Sequence, residues 1–164
     1  MANIQSILAL GSMIILSLIS LLFNSTALQS SKIELEDKVY LSAFSLADDL
    51  VEEMKQKAFD EKTVDFQAIN LNQLSAKLGP DIIGGIAETW PNFNDIDDYN
   101  GYQKITNLPL AEGYKVICEV AYCDAAGQIQ TSQQYYKKVN VTVTSPYLDD
   151  QFYMSFIFSL HAKN

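Results

Sequence analysis

MANIQSILALGSMIILSLISLLFNSTALQSS, residues 1–31, contains no Asp, Glu, Lys or Arg, and from Ile4 to Leu28 it is mostly apolar. Every charge of a chain with formal net charge -9 lies beyond it, beginning at Lys32. Such a rod has to be covered by lipid, by other protein, or by each at different times. A helix needs ~20 apolar residues to span a bilayer, and Ile4–Leu28 is long enough. Ser25-Thr26-Ala27 has the small residues of a secretory cleavage site. Against cleavage, no Lys or Arg precedes the apolar run, and the run exceeds the ~7–15 residues of a signal core. The segment is therefore expected to be retained.

Nothing forces the helix to stop where the charges begin, because no proline or glycine occurs between Gly11 and Gly79. Beyond Ser31 the pattern turns amphipathic. Tyr40, Phe44, Ala47, Val51, Met54 and Ala58 recur at helical spacing and predict a face that packs on a sheet, while acidic residues and lysines occupy much of the remaining surface. One helix from about Asn3 to about Phe59 would be ~85 Å long at 1.5 Å per residue. A domain of this size cannot cover that length, so the first half is expected to project.

The C-terminal third has a different period. Tyr114, Val116, Cys118, Val120 and Tyr122 alternate along one run; Val139, Val141 and Val143 alternate along a second; Phe152, Met154, Phe156, Phe158 and Leu160 form a third. Period-two runs rich in valine and aromatics are strands with one buried face. Asp124–Gly127 and Ser145–Asp150 read as connecting turns, which favours an antiparallel meander. The expected fold class is α+β: residues 1–31 as the apolar half of a long helix, and 32–164 as a globular domain. Within that domain, 32–60 is the second helix half, 63–112 a loop region with a short helix near Leu71–Leu78, and 113–161 the antiparallel strands.

Composition excludes several function classes. Twenty acidic residues against eleven basic ones argue against a phosphate-binding surface, so no nucleic-acid partner is expected. The chain has one histidine, no nucleophile elbow and no phosphate loop, which speaks against an enzyme.

A long half-apolar helix followed by an antiparallel sheet resembles a type IV pilin or pseudopilin. ADDLVEEMKQKAFD (47–60) is similar to the second half of the long pilin helix. FNDIDDYNG (93–101) resembles an acidic loop of minor pilins of the mannose-sensitive haemagglutinin type, and YKKVNVTVTSP (136–146) resembles the strand that follows it there. The resemblance implies a structural subunit of a bacterial extracellular filament, a self-assembling helical polymer held in the inner membrane before a pilus or secretion machinery assembles it. A minor or tip pseudopilin and a membrane-anchored extracytoplasmic binding module are the competing readings. Pilins carry a basic leader and a glutamate at the fifth mature position. With Met1 as the first residue of the mature chain, that position holds Gln5, which can accept a hydrogen bond from a neighbour's terminal amine but cannot neutralise it.

The residues expected to pack between neighbouring helices are Met1, Gln5, Leu8, Gly11, Ile15, Leu18 and Leu22, with Gly11 and several serines permitting close approach. Trp90, Tyr99 and Tyr102, outside the strands, are candidates for subunit contacts. Asp95, Asp97, Asp98 and Asn100 place oxygen ligands together and fit either a calcium site or a metal-free turn capped by its own side chains; both readings stay open. No other cofactor is expected. Cys118 and Cys123, five residues apart in one strand, would lie ~16 Å apart in extended chain, so a disulfide between them requires a sharp bend.

Overall fold

In the computed structural model of the chain, residues 2–65 and 70–160 are described. The fold is α+β. Helix α1 (Ala2–Met54) is followed by a two-stranded hairpin, β1 (Ile82–Ile83) and β2 (Ile86–Ala87), and then by a four-stranded antiparallel sheet. Its strands β3 (Gln103–Leu108), β4 (Ala111–Cys123), β5 (Tyr136–Thr144) and β6 (Phe152–Ser159) are neighbours in sequence order, an uninterrupted meander. Single 3-10 turns at Glu61–Thr63, Leu71–Gln73 and Asp97–Tyr99 fix the connecting segment. The chain divides into two compact units, Met1–Lys38 and Val39–Asn164. The described residues of the first are all helical.

In the second unit the helix lays a narrow stripe onto the sheet. Val39, Ala43, Ala47, Leu50, Val51 and Met54 are buried in one core cluster with Tyr114, Val116, Cys118 and Val120 of β4 and Val139, Val141 and Val143 of β5. Ala43 and Ala47 have no exposed surface and lie at the centre of this stripe. This stripe is rotated relative to the face expected from sequence. Tyr40 and Phe44 are 52% and 44% exposed and flank it. Their rings meet Phe152 edge-on, at centroid distances of 5.3 and 6.0 Å. Long aromatics are the stronger hydrophobic signal, but small residues permit the closer approach and so occupy the centre.

The helix also ends sooner than expected, at Met54 rather than near Phe59. Ala58, expected on the helix face, instead pairs with the 93–101 loop: its N–H donates to Asn94 O, and its carbonyl accepts from Ile96 N. Two backbone hydrogen bonds and the burial of Phe59 and Asp60 outweigh a local helix propensity that favours continuation.

The meander has one more strand than the alternating runs predict. Strand β3 lies in the segment expected to be loop, pairing Gln103 with Ile117 and Thr106 with Tyr114. It is an edge strand whose residues are largely exposed, so its sequence QKITNL carries no alternation to read. The short helix expected at Leu71–Leu78 is a single 3-10 turn at Leu71–Gln73. Along β6 the buried residues are Phe152 and Phe158; Phe156 is 36% exposed, with its ring against that of Phe158.

Candidate functional site

Two features of the chain carry functional meaning: the surface of the first helical unit, and a group of acidic side chains around the connecting segment.

From Asn3 onward α1 is long and apolar enough to cross a membrane. Gln5, Leu8, Gly11, Ile15, Leu18 and Leu22 all fall in the first unit; Met1 lies outside the described residues. Leu8 and Leu22 are 68% and 67% exposed, and Ile15 and Leu18 are exposed with them. A Cβ at Gly11 would meet nothing within 4 Å, which leaves an open notch on the rod. Polar side chains here turn inward to the backbone: the hydroxyls of Ser12, Thr26 and Ser31 donate to the carbonyls of Ala9, Leu22 and Ala27. Such bonds satisfy hydroxyls that an apolar environment would otherwise leave without partners.

The acidic group is organised by a lysine. Lys137 sits on β5 at an inward register position, and its side chain is completely buried. Its Nζ donates to Phe59 O at 2.6 Å, Asp60 Oδ2 at 3.0 Å and Asp97 Oδ1 at 2.5 Å, using the three donors of an ammonium. The same nitrogen lies 4.5 Å from the centroid of the Phe59 ring. Asp60 is a junction: its carboxylate also accepts from the Ser75 backbone N–H and hydroxyl and from Lys62 N, and the Tyr122 hydroxyl lies 3.0 Å from its Oδ2. Burial alone would raise Asp60, but the charge and hydrogen bond of Lys137, with those backbone donors, hold it below the ordinary aspartate value. Asp97 is pushed up to about 6 by burial, against the pull of Lys137 and with the repulsion of Asp60.

Of the four residues expected to hold calcium, two are thus otherwise engaged. Asp97 pairs with Lys137, and Asn100 bridges the fold, donating from Nδ2 to Leu78 O and accepting at Oδ1 from Val120 N. Asp95 and Asp98 cap one another's turn. Asp98 Oδ2 accepts from Asn94 N and Asp95 N, and Asp95 Oδ1 accepts from Asp98 N.

Asp95 and Asp98 meet carboxylates distant in sequence. One oxygen from each of Glu61, Asp81 and Asp95 falls within 4.8 Å of the others, and the same holds for Asp81, Glu88 and Asp98. The β1–β2 hairpin accounts for the inner pair. Gly84 and Gly85 have φ of 62° and 87°, values that a two-residue hairpin turn needs and glycine supplies without strain. Glu88 N then donates to Asp81 O at 2.8 Å and sets the two residues side by side at the hairpin base. Crowding is visible electrostatically. Burial, then repulsion from Asp97 and Asp98, pushes Asp95 up to about 9, and burial and Asp98 raise Asp81 and Glu88 as well. Sequence reading missed Asp60, Glu61, Asp81, Glu88 and Lys137. Lys137 was detectable, because it stands two residues before Val139 in the buried phase of β5.

Cys118 and Cys123 are free thiols, both buried. Burial, with the adjacent Glu119 charge, pushes the Cys118 thiol up to about 12. Among the aromatics expected at subunit contacts, Tyr99 is fully buried and donates to Glu53 Oε1 at 2.6 Å, so it belongs to the core. Trp90 is 42% exposed and donates to the same oxygen at 3.2 Å. The chain matches no protein-family model, no curated protein and no solved structure.

Proposed function

We propose that the chain is a structural subunit of a bacterial extracellular filament of the type IV pilus kind. In this reading it is held in the inner membrane by the apolar half of α1 and polymerises through that same half. The observation that carries the reading is one unbroken 53-residue helix, mostly apolar and exposed from Ile4 to Leu28, whose residues from Val39 onward pack on an antiparallel sheet. A plain anchor needs a greasy segment and nothing more. A filament subunit also needs a folded domain to cover the bundled rods, and the sheet with its helix stripe is such a domain.

The energetics suit a transfer from lipid to protein. In the membrane the rod satisfies its backbone internally. In a bundle, neighbouring rods exchange lipid contacts for packing around small residues such as Gly11; outside the membrane, each Leu or Ile that the bundle keeps from water is worth ~1.5–3 kcal/mol. Once the filament leaves the membrane, those apolar surfaces have only one another as cover.

The test is a charge in the middle of the rod. Leu16→Glu costs about 2.5–3.5 kcal/mol at a bilayer centre, which the surrounding apolar residues offset. The expected result is a variant that still fractionates with membranes and makes no fibres. Fibres of normal number and length from the variant would refute polymerisation through this helix.

A further inference from the structure

We propose that the base of the β1–β2 hairpin, joined to Glu61 and the Asp95–Asp98 turn, is a binding site for a hard divalent cation of the calcium class, with Glu61, Asp81, Glu88, Asp95 and Asp98 as its carboxylate ligands. The inference is independent of the filament reading.

Three observations point to it. The first is geometry. Two overlapping triads, Glu61–Asp81–Asp95 and Asp81–Glu88–Asp98, each bring three carboxylate oxygens within 4.8 Å of one another, with Asp81 common to both. Calcium binds oxygen at about 2.3–2.6 Å, so two ligands of one ion stand up to roughly 5 Å apart.

The second is unmet hydrogen-bonding demand. Among the described residues, four buried side-chain oxygen or nitrogen atoms lack a partner: Glu61 Oε2, Glu88 Oε2, Asp95 Oδ2 and Asn94 Oδ1. Three belong to the cluster and the fourth is next to Asp95 in sequence. Asp95 has no exposed surface, yet its Oδ2 meets no donor while its Oδ1 accepts from Asp98 N. Buried carboxylate oxygens without donors are costly unless a proton or a cation meets them.

The third is charge. Lys137 spends its hydrogen-bond donors on Phe59 O, Asp60 and Asp97, and its charge, with that of Lys62 beside Asp81, offsets the repulsion among these carboxylates only in part. An all-oxygen donor set with no thiol or imidazole selects calcium or magnesium over zinc. Ligands from four separate short segments, on turns rather than a rigid frame, suit the variable coordination of calcium better than the strict octahedron of magnesium. Bound there, the ion would fasten the hairpin to the turn after α1 and to the 93–101 loop.

The rival account is a cluster held by shared protons, and the experiment separates the two. Full-length protein in detergent, stripped with chelator at pH 7, is titrated with CaCl2 or MgCl2 by calorimetry and followed by thermal unfolding. One calcium per chain is expected, with Kd on the order of 10⁻³ M or tighter and a calcium-dependent rise in Tm. In Asp81→Asn and Glu88→Gln the affinity should fall at least tenfold. Without calcium both variants should be at least as stable as the parent, because a repelling charge has gone. Asp149→Asn, in the exposed β5–β6 connection, should bind like the parent. Glu88→Gln keeps the test intact if Asp81→Asn does not fold. No binding and no Tm shift at 10 mM calcium would overturn the proposal. So would equal binding by parent and both cluster variants, which would mark a diffuse response to net charge -9.

Discussion

Lys137 Nζ lies 3.0 Å from Asp60 Oδ2, and both side chains are entirely excluded from solvent. The pair joins the middle of the sheet to the point where the chain has just left α1, seventy-seven residues earlier in sequence. A buried ion pair adds little net stability over an apolar substitute of the same shape, but removing one partner strands the other. Asp97 at 2.5 Å and the Phe59 carbonyl complete the coordination of the ammonium. This cage fixes the chain leaving the helix against the sheet.

Lys137→Ala should therefore destabilise the folded domain by about 3–5 kcal/mol, measured by denaturant unfolding of the full chain. Lys137→Met, which keeps volume and removes charge, still leaves Asp60 unpaired and should cost nearly as much. The double variant Lys137→Met with Asp60→Asn should recover part of the loss. A loss below 1 kcal/mol for Lys137→Ala would mean that solvent reaches the cage.

The helix stripe makes a second, opposed pair of expectations. Ala43→Leu forces extra methylenes into a fully buried position of the core between α1 and the sheet and should cost about 1–3 kcal/mol. Tyr40→Ala, at a half-exposed flank, should cost less than Ala43→Leu by the same unfolding measurement. The reverse order would place the aromatics at the centre of the interface, where the sequence pattern first puts them.

Cys118 gives a pH-dependent prediction. Its thiol is raised to about 12 in the fold from an ordinary value near 9, so the folded chain holds that proton more tightly than the unfolded chain does. The stabilising contribution is complete below pH 9 and declines as pH rises toward 12. In native protein at pH 8 the residue should resist iodoacetamide, since the thiolate is the nucleophile. In denaturant it should react at the rate of a free cysteine. Peptide mass mapping of the two conditions decides it, and rapid native labelling of Cys118 would contradict its burial.

Much of the architecture was legible where a periodic pattern met a buried face. The charge-free rod, the amphipathic continuation and the alternating valines of β5 announce a long helix and a sheet. What escaped did so for physical reasons. Strand β3 pairs through its backbone at an exposed edge and needs no apolar alternation. Small residues, not aromatics, set the rotation of the helix, because close approach depends on what is absent from a side chain. The acidic cluster draws on positions 61, 81, 88, 95 and 98, brought together by turns and a glycine hairpin without any sequence period. Lys137 was detectable from its phase, two residues before Val139, but its charge argues for the solvent face until Asp60 and Asp97 appear as partners.

Filaments sheared from cells expressing the chain, imaged by electron cryo-microscopy and identified by mass spectrometry, test the filament reading most directly. Regular fibres built chiefly of this chain, with α1 helices bundled along the axis and the sheets outermost, are the predicted result. Absence of fibres, with the protein recovered entirely from detergent-extracted membranes, would contradict it and leave an anchored extracytoplasmic module in its place.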